Sequence, residues 1–267
     1  PPTAAPRRQR CARARRRRRG RRTSSPPRSS RGARGAGATA SCFNGDFTRA
    51  VDARCFAVDK PCRWRRCVPE VETLRWSVVD FARDVARRIV EHGCVSKGES
   101  LYLYGHSAGA WIAFECARAL GERVSGVYVS AARAPCLGHW LNDTDVETPR
   151  LSELETDDAF WAAFERRYGV SDELRCVSTS LIAPFREDFR MSESYEGSTE
   201  KVHVPLTAIG IENDTRTTRK MIARWSEHTT GAFCSRWWDG GGAHPHRALI
   251  AKPLEFASFL SNEVFFV

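Results

Sequence analysis

The chain has no long hydrophobic run. None of its apolar stretches approaches the 18 or so residues that a membrane-spanning helix needs, and no apolar signal core is present. These absences argue against a membrane-spanning protein. We therefore expect a soluble protein without a membrane partner.

Cysteine motifs are also missing, although the chain contains ten cysteines. None of them forms a Cys-x-x-Cys pair, and their spacing relative to the histidines matches no zinc motif. Several lie inside apolar segments, where cysteine acts as a small hydrophobic residue. The pattern predicts a reducing compartment, no disulfide scaffold, no metal and no dissociable cofactor.

Acidic residues are absent from residues 1–34, which contain fourteen arginines. This segment is predicted to be disordered because it cannot bury a core. It is consistent with a plastid or mitochondrial transit peptide, with a basic arm for nucleic acid or nuclear import, or with a mispredicted gene start. The remaining residues carry 28 basic and 32 acidic side chains, a net charge of −4. We therefore expect a cytoplasmic protein, unless the tail is a transit peptide, and no nucleic-acid partner.

The clearest motif is Gly-His-Ser-Ala-Gly at residues 105–109. It follows Leu-Tyr-Leu-Tyr, which predicts a strand buried on both faces, and it leads into a helix-like segment at residues 111–120. This context indicates a nucleophile elbow, in which Gly105 and Gly109 leave room for close packing and Ser107 projects from the sheet edge. The backbone N–H of Ala108 is then a predicted oxyanion-hole donor at a helix N-terminus. A glycine-bounded turn with a solvated serine is the alternative.

Strands and helices alternate around this motif. Apolar residues at intervals of three and four predict a helix over residues 72–91, and strands are predicted over residues 54–58, 101–104, 124–130, 205–209 and 232–238. The alternation predicts an α/β fold in residues 35–267, with a mostly parallel, doubly wound sheet. Residues 136–199 interrupt it with helical patterns, which predict a helical lid; a helical excursion packed on the sheet edge is the alternative.

Polar clusters follow two of the later strands. Glu-Asn-Asp occupies residues 212–214, and a glycine-rich turn with two histidines occupies residues 239–246. The active site of such a sheet lies at the carboxyl ends of its strands. The order serine, acid, histidine is that of the α/β-hydrolase triad.

The chain resembles the type II thioesterases that accompany polyketide and nonribosomal peptide synthases, and the related medium-chain acyl thioesterases of fatty-acid synthesis. The resemblance covers roughly residues 54–260. Its motifs lie at residues 104–118, 129–135, 151–154, 184–189, 205–210 and 225–233. The family's first strand and glycine-rich oxyanion loop are represented only by residues 35–41, without the hydrophobic strand.

The resemblance implies a catalytic triad, which we assign to Ser107, His244 and Asp214. The family's acid position falls on Asn213, with Asp214 one residue later, and Asp188 in the lid is a less favoured acid. The family's histidine directly follows a Gly-Gly pair, whereas here Gly-Gly-Gly-Ala precedes His244. His246 is therefore a rival base.

The activity that the resemblance implies is that of a monomeric serine hydrolase without a cofactor. Its substrate would be an acyl thioester on the phosphopantetheine arm of an acyl or peptidyl carrier protein. Its role would be editing or chain release in polyketide, nonribosomal peptide or fatty-acid biosynthesis. Two alternatives are a carboxylic-ester hydrolase and a catalytically impaired carrier-protein-binding module.

Overall fold

A four-stranded parallel sheet lies at the centre of the computed structural model, which describes residues 55–58, 76–94, 99–169, 178–239, 242, 245–247 and 252–264. Each strand pairs with the next one in chain order. The strands are β1 (Tyr102–His106), β2 (Gly126–Ser130), β3 (Leu206–Ile211) and β4 (Phe233–Trp238). The predicted parallel sheet is confirmed. The predicted tail at 1–34 and the loop at 35–41 lie outside the described residues.

Within the described residues, six α-helices flank or follow these strands. They are α1 (Val78–Glu91), α2 (Ala108–Leu120), α3 (Asp157–Tyr168), α4 (Ser178–Glu193), α5 (Arg219–Ala223) and α6 (Pro253–Phe259). Short 3₁₀ turns include Pro245–Arg247, which matters for the site below. In the part of the chain that the structure describes, no helix is both long and apolar enough to cross a membrane.

The sheet is covered on both faces, as a doubly wound arrangement requires. One core packs α1 and α2 against the sheet and includes Phe81, Phe114 and Leu206. The other core packs α6 against the opposite face through Phe256 and Ile211. Because helices cover both faces of the parallel sheet, its central strands are buried on two sides and consist largely of consecutive apolar residues.

Helix α1 begins later than its apolar pattern suggests. Ser77 has extended backbone angles, and its Oγ accepts a hydrogen bond from the Asp80 N–H, so it caps the helix and ends the backward extension. The predicted positions Val78, Phe81 and Val85 are buried. Val90, also predicted to face the core, is 48% exposed.

Two strand predictions need correction. Residues 55–58 form no strand, and Phe56 is 58% exposed, although Cys55 packs against the core on the α6 face. Strand β1 is less buried than predicted, because Tyr102 is 42% exposed and β1 pairs only with β2 in the described sheet. An apolar run alone does not show whether a strand has neighbours on both sides.

The segment between β2 and β3 forms a small helical unit with its own apolar core. The helical patterns predicted there are confirmed as α3 and α4. Phe160 and Phe164 of α3 pack with Phe185 and Phe189 of α4. The carboxylate of Glu193 accepts hydrogen bonds from the backbone of residues 151 and 152, which fastens α4 to the preceding loop. The excursion is therefore built as a separate layer. Its role as a lid remains a prediction.

Candidate active site

Ser107 lies on the sharp turn between β1 and α2. Its backbone has φ 53° and ψ −128°, a conformation that costs a non-glycine residue of the order of 1–3 kcal/mol. The Ser107 N–H donates to the Ser130 carbonyl at 2.8 Å, which ties the turn to β2. This geometry is that of the predicted elbow.

Only one of the two elbow glycines is required for close packing. A Cβ on Gly105 would lie 2.0 Å from the Gly109 carbonyl oxygen, so β1 can pass α2 only without a side chain there. A Cβ on Gly109 would meet nothing within 4 Å. The prediction is confirmed for Gly105 and wrong for Gly109, which contributes its backbone rather than free space.

Ala108 is the first residue of α2. The N–H groups of a first helical turn have no acceptor within the helix, and the helix dipole makes this end partially positive. An N–H beside the nucleophile therefore suits a developing oxyanion. Its role as oxyanion donor stays a prediction, and the second donor expected in residues 35–41 lies outside the described residues.

The histidine that contacts Ser107 is His246. Its Nε2 lies 2.9 Å from Ser107 Oγ, and it is held in the 3₁₀ turn Pro245–Arg247 after β4. The favoured base of the sequence analysis, His244, lies outside the described residues. The structure thus brings the rival histidine to the serine.

Asp214 faces the other side of the His246 ring. Its Oδ2 lies 3.0 Å from His246 Nδ1, while Asn213 takes the left-handed conformation of the turn with φ 63°. An asparagine tolerates this conformation better than most residues, and the turn leaves the following carboxylate to face the site. Of these two neighbours, Asp214 is the one whose carboxylate lies beside the histidine. Asp188 lies within α4.

The Asp214 carboxylate is held by three donors. Burial opposes its ionisation, but the hydrogen bond from His246, a 2.6 Å bond from the Thr217 hydroxyl and a 2.8 Å bond from the Arg216 N–H outweigh burial. Together they keep the pKa of Asp214 below its ordinary value. The group is an anion at neutral pH.

These contacts define the tautomer of His246. Because the Asp214 carboxylate can only accept, Nδ1 of His246 carries the proton and donates it. Nε2 then presents its lone pair to the Ser107 hydroxyl at 2.9 Å. The arrangement can remove a proton from Ser107, which is what a nucleophilic serine needs. No group of three or more His, Cys, Asp or Glu side chains in the described ranges is placed to hold a metal ion.

The histidine turn also touches the helical unit between β2 and β3. The Tyr168 ring lies 5.3 Å from the His246 ring between centroids, and the Arg247 guanidinium donates to the Gly169 carbonyl at 2.9 Å. Both partners lie at the carboxyl end of α3. The end of that helix is therefore in direct contact with the site.

A buried ion cluster supports the turn that carries Asp214. The Asp143 carboxylate bridges the guanidinium groups of Arg133 and Arg216 at 2.8 and 2.6 Å, and all three side chains are less than 10% exposed. Arg133 also lies over the Trp111 ring at 5.0 Å. The cluster joins the turn that carries Asp214, the loop after β2 and helix α2.

His106 has contacts that its sequence pattern did not predict. Its Nδ1 lies 2.8 Å from Ser130 Oγ, its Nε2 lies 3.0 Å from the His246 carbonyl oxygen, and the Tyr104 hydroxyl lies 2.7 Å from Ser130 Oγ. Burial and the nearby His246 lower the pKa of His106 to about 4. His106 and Ser130 end adjacent strands and are partners in register, a relation that only the tertiary structure shows.

Comparison with known proteins agrees with this geometry. Residues 69–262 match the family model described as "Thioesterase domain". "Thioesterase PikA5" of Streptomyces venezuelae is 34% identical over 53% of this chain and 50% of its own length. "Probable cadicidin biosynthesis thioesterase" of Streptomyces griseus is 30% identical over 84% of this chain and 60% of its own length. The chain thus spans 50% and 60% of these two curated relatives.

A solved structure gives the same result. "RedJ-Thioesterase from the Prodiginine biosynthetic pathway in Streptomyces coelicolor" matches with a TM-score of 0.59 and 26% identity, over 82% of this chain and 81% of that one. The parallel sheet with helices on both faces and the elbow after β1 fit the α/β-hydrolase fold of this group. The chain belongs to the thioesterase domain family and has its α/β-hydrolase fold.

Proposed function

We propose that this chain hydrolyses acyl thioesters with Ser107 as nucleophile, His246 as general base and Asp214 as the acid that orients the base. The observation that carries the proposal is the continuous hydrogen-bonded line from Ser107 Oγ through the His246 ring to the Asp214 carboxylate, with distances of 2.9 and 3.0 Å. The same line argues against a module that only binds carrier proteins, since such a module needs no proton relay.

The reaction has two steps. Ser107 Oγ attacks the thioester carbonyl carbon while its proton passes to His246 Nε2, and the Ala108 N–H stabilises the oxyanion. The carbon–sulfur bond then breaks, and the proton leaves His246 with the thiol. Water, activated by the same histidine, hydrolyses the acyl-serine to the free acid. Asp214 stabilises the imidazolium that forms in each step.

The substrate class follows from the relatives rather than from the geometry. The similar proteins include thioesterases named for cadicidin and prodiginine biosynthesis. We propose that the acyl group is carried on the phosphopantetheine arm of an acyl or peptidyl carrier protein. Hydrolysis there would clear an aborted chain or release a finished one.

The helical unit of α3 and α4 is proposed to act as the lid. Its support is positional, because the end of α3 contacts the base through Tyr168 and the histidine turn through Gly169. A layer in this position would shield the acyl group from water while the acyl-serine forms.

The test is release of thiol from a panel of acyl-pantetheine thioesters by the purified chain, with matched oxygen esters alongside. Ser107→Ala and His246→Ala are each expected to lower kcat by about 10³-fold or more, since each removes a member of the relay. His244→Ala is the matched control for the base. It is expected to retain most of the turnover.

Three results would contradict the proposal. Loss of turnover in His244→Ala but not in His246→Ala would move the base to His244. Preference for oxygen esters would make the chain a carboxylic-ester hydrolase. Binding to a carrier protein that survives Ser107→Ala, without turnover in the unmodified chain, would indicate a binding module.

A further inference from the structure

His106 directly precedes Ser107 in the chain, and its ring contacts the backbone of His246. It is 6% exposed, and it is the last residue of β1. Its Nε2 lies 3.0 Å from the carbonyl oxygen of His246, and its Nδ1 lies 2.8 Å from Ser130 Oγ. The buried imidazole therefore joins two strands of the sheet to the turn that carries the base.

The direction of each hydrogen bond follows from the chemistry of the partners. A carbonyl oxygen can only accept, so His106 Nε2 carries a proton and donates it to His246. In the neutral ring Nδ1 is then an acceptor, and it accepts a hydrogen bond from the Ser130 hydroxyl. Ser130 Oγ in turn accepts from the Tyr104 hydroxyl at 2.7 Å. One consistent line of donors runs from Tyr104 to the backbone of His246.

We propose that His106 is a positioning residue that sets the distance between Ser107 and His246. The inference rests on the proposed function of that pair. Because His106 and Ser107 are adjacent in the chain, one dipeptide carries the nucleophile and also holds the backbone of the base. The same two residues therefore set the 2.9 Å distance between Ser107 Oγ and His246 Nε2.

The anchor holds the backbone of the base, whereas the contacts with Asp214, Tyr168 and Gly169 reach the turn through its side chains. His246 belongs to a three-residue 3₁₀ turn, Pro245–Arg247, rather than to a strand or a long helix. A short turn is free to move unless its backbone is tied down. A displacement of the base by about 1 Å can slow a reaction by a factor of the order of 100.

Two substitutions separate the two bonds of the ring. In His106→Gln the amide nitrogen can reach the position of Nε2 and donate to the His246 carbonyl. In His106→Asn the shorter amide can replace only Nδ1, so the bond from Ser130 is kept and the anchor on His246 is lost. We expect His106→Asn to lower kcat about tenfold or more with KM unchanged, and His106→Gln to stay within about threefold of the unmodified chain.

A second readout makes the test independent of the substrate class. The rate at which a fluorophosphonate labels Ser107 at saturating concentration depends on the Ser107–His246 pair but needs no thioester. If the unmodified chain is labelled yet cleaves no thioester, the proposed function fails while the positioning role is still measured. We expect the same order of labelling rates, with His106→Asn slowest.

The matched control is His228, a second buried histidine. It is 1% exposed, its Nδ1 donates to the Glu200 carbonyl at 3.0 Å, and its Nε2 accepts from the Cys136 N–H at 3.1 Å. His228→Asn should lower the unfolding temperature without changing the labelling rate. Equal labelling rates in His106→Asn and His106→Gln, whether fast or slow, would overturn the proposal.

A measurement on the unmodified chain covers the case in which His106→Asn does not fold. Nitrogen-15 NMR of the imidazoles at pH 7 should show His106 protonated on Nε2, and His228 protonated on Nδ1, since each donates to a carbonyl through that atom. A proton on Nδ1 of His106 would exclude the bond to the His246 carbonyl and would refute the inference.

Discussion

The buried neutral state of His106 makes the stability of the protein depend on pH. Burial first, and the nearby His246 second, lower the pKa of His106 to about 4, against an ordinary value of 6.5. The unfolded chain therefore binds a proton near pH 6.5 that the folded chain resists. Stability from this group is fully present above pH 6.5 and is lost as the pH falls towards 4.

The magnitude follows from the size of the shift. One pKa unit corresponds to about 1.4 kcal/mol, so the whole window is worth about 3 kcal/mol, of which about half is lost between pH 6 and pH 4.5. The assay is urea unfolding of the unmodified chain and of His106→Gln at several pH values from 7 to 4.5. The difference between their free energies of unfolding should shrink by roughly 2 kcal/mol in that interval.

Taking the difference removes the other titrating groups. Burial also lowers the pKa of His228, but that histidine titrates in both proteins and cancels. His228→Gln is the control, because it removes a buried histidine elsewhere and leaves the His106 contribution intact. If the two plots of unfolding free energy against pH ran parallel, His106 would take up a proton as readily in the folded protein as in the unfolded one. That result would refute the reasoning, because a buried ring with two hydrogen bonds should resist protonation.

Two further predictions concern the support of the site. Gly105→Ala places a Cβ against the Gly109 carbonyl and should lower the free energy of unfolding by about 3 kcal/mol, measured in urea. Gly109→Ala has room for its Cβ and should leave that free energy unchanged or raise it by up to about 1 kcal/mol. Equal effects of the two substitutions would contradict the packing argument. Asp143→Ala leaves Arg133 and Arg216 buried without their shared partner and should cost about 3–5 kcal/mol by the same assay, so a loss below about 1 kcal/mol would mean that the cluster is solvated.

Local patterns in the sequence predicted the elements that depend on near neighbours in the chain. The elbow at Ser107 was predictable because an apolar strand, a glycine that permits close packing and a helix follow one another within twenty residues. Helices α3 and α4 were predictable from apolar spacing. The start of α1 was missed by several residues, because the cap at Ser77 is a weaker signal than the apolar period that runs past it.

The choice of catalytic partners needed the tertiary structure. Asn213 and Asp214 are adjacent in the chain, and only the left-handed turn at Asn213 shows which side chain reaches the histidine. The sequence favoured His244 over His246, whereas in the described residues Ser107 is contacted by His246. Such choices depend on distances between residues 32 to 139 positions apart, which no local pattern contains.

The sequence by itself predicted the fold class and the family, and it pointed to Ser107 as the candidate nucleophile, since each depends on a contiguous motif or on the order of motifs. Only the tertiary structure shows that His246 lies against Ser107 and Asp214 against His246, that residues 55–58 form no strand, and that His106 Nε2 lies 3.0 Å from the His246 carbonyl oxygen. The physical reason is that a strand or a helix is specified largely by its own residues. A hydrogen bond between distant turns is specified by how the whole sheet brings the ends of its strands together.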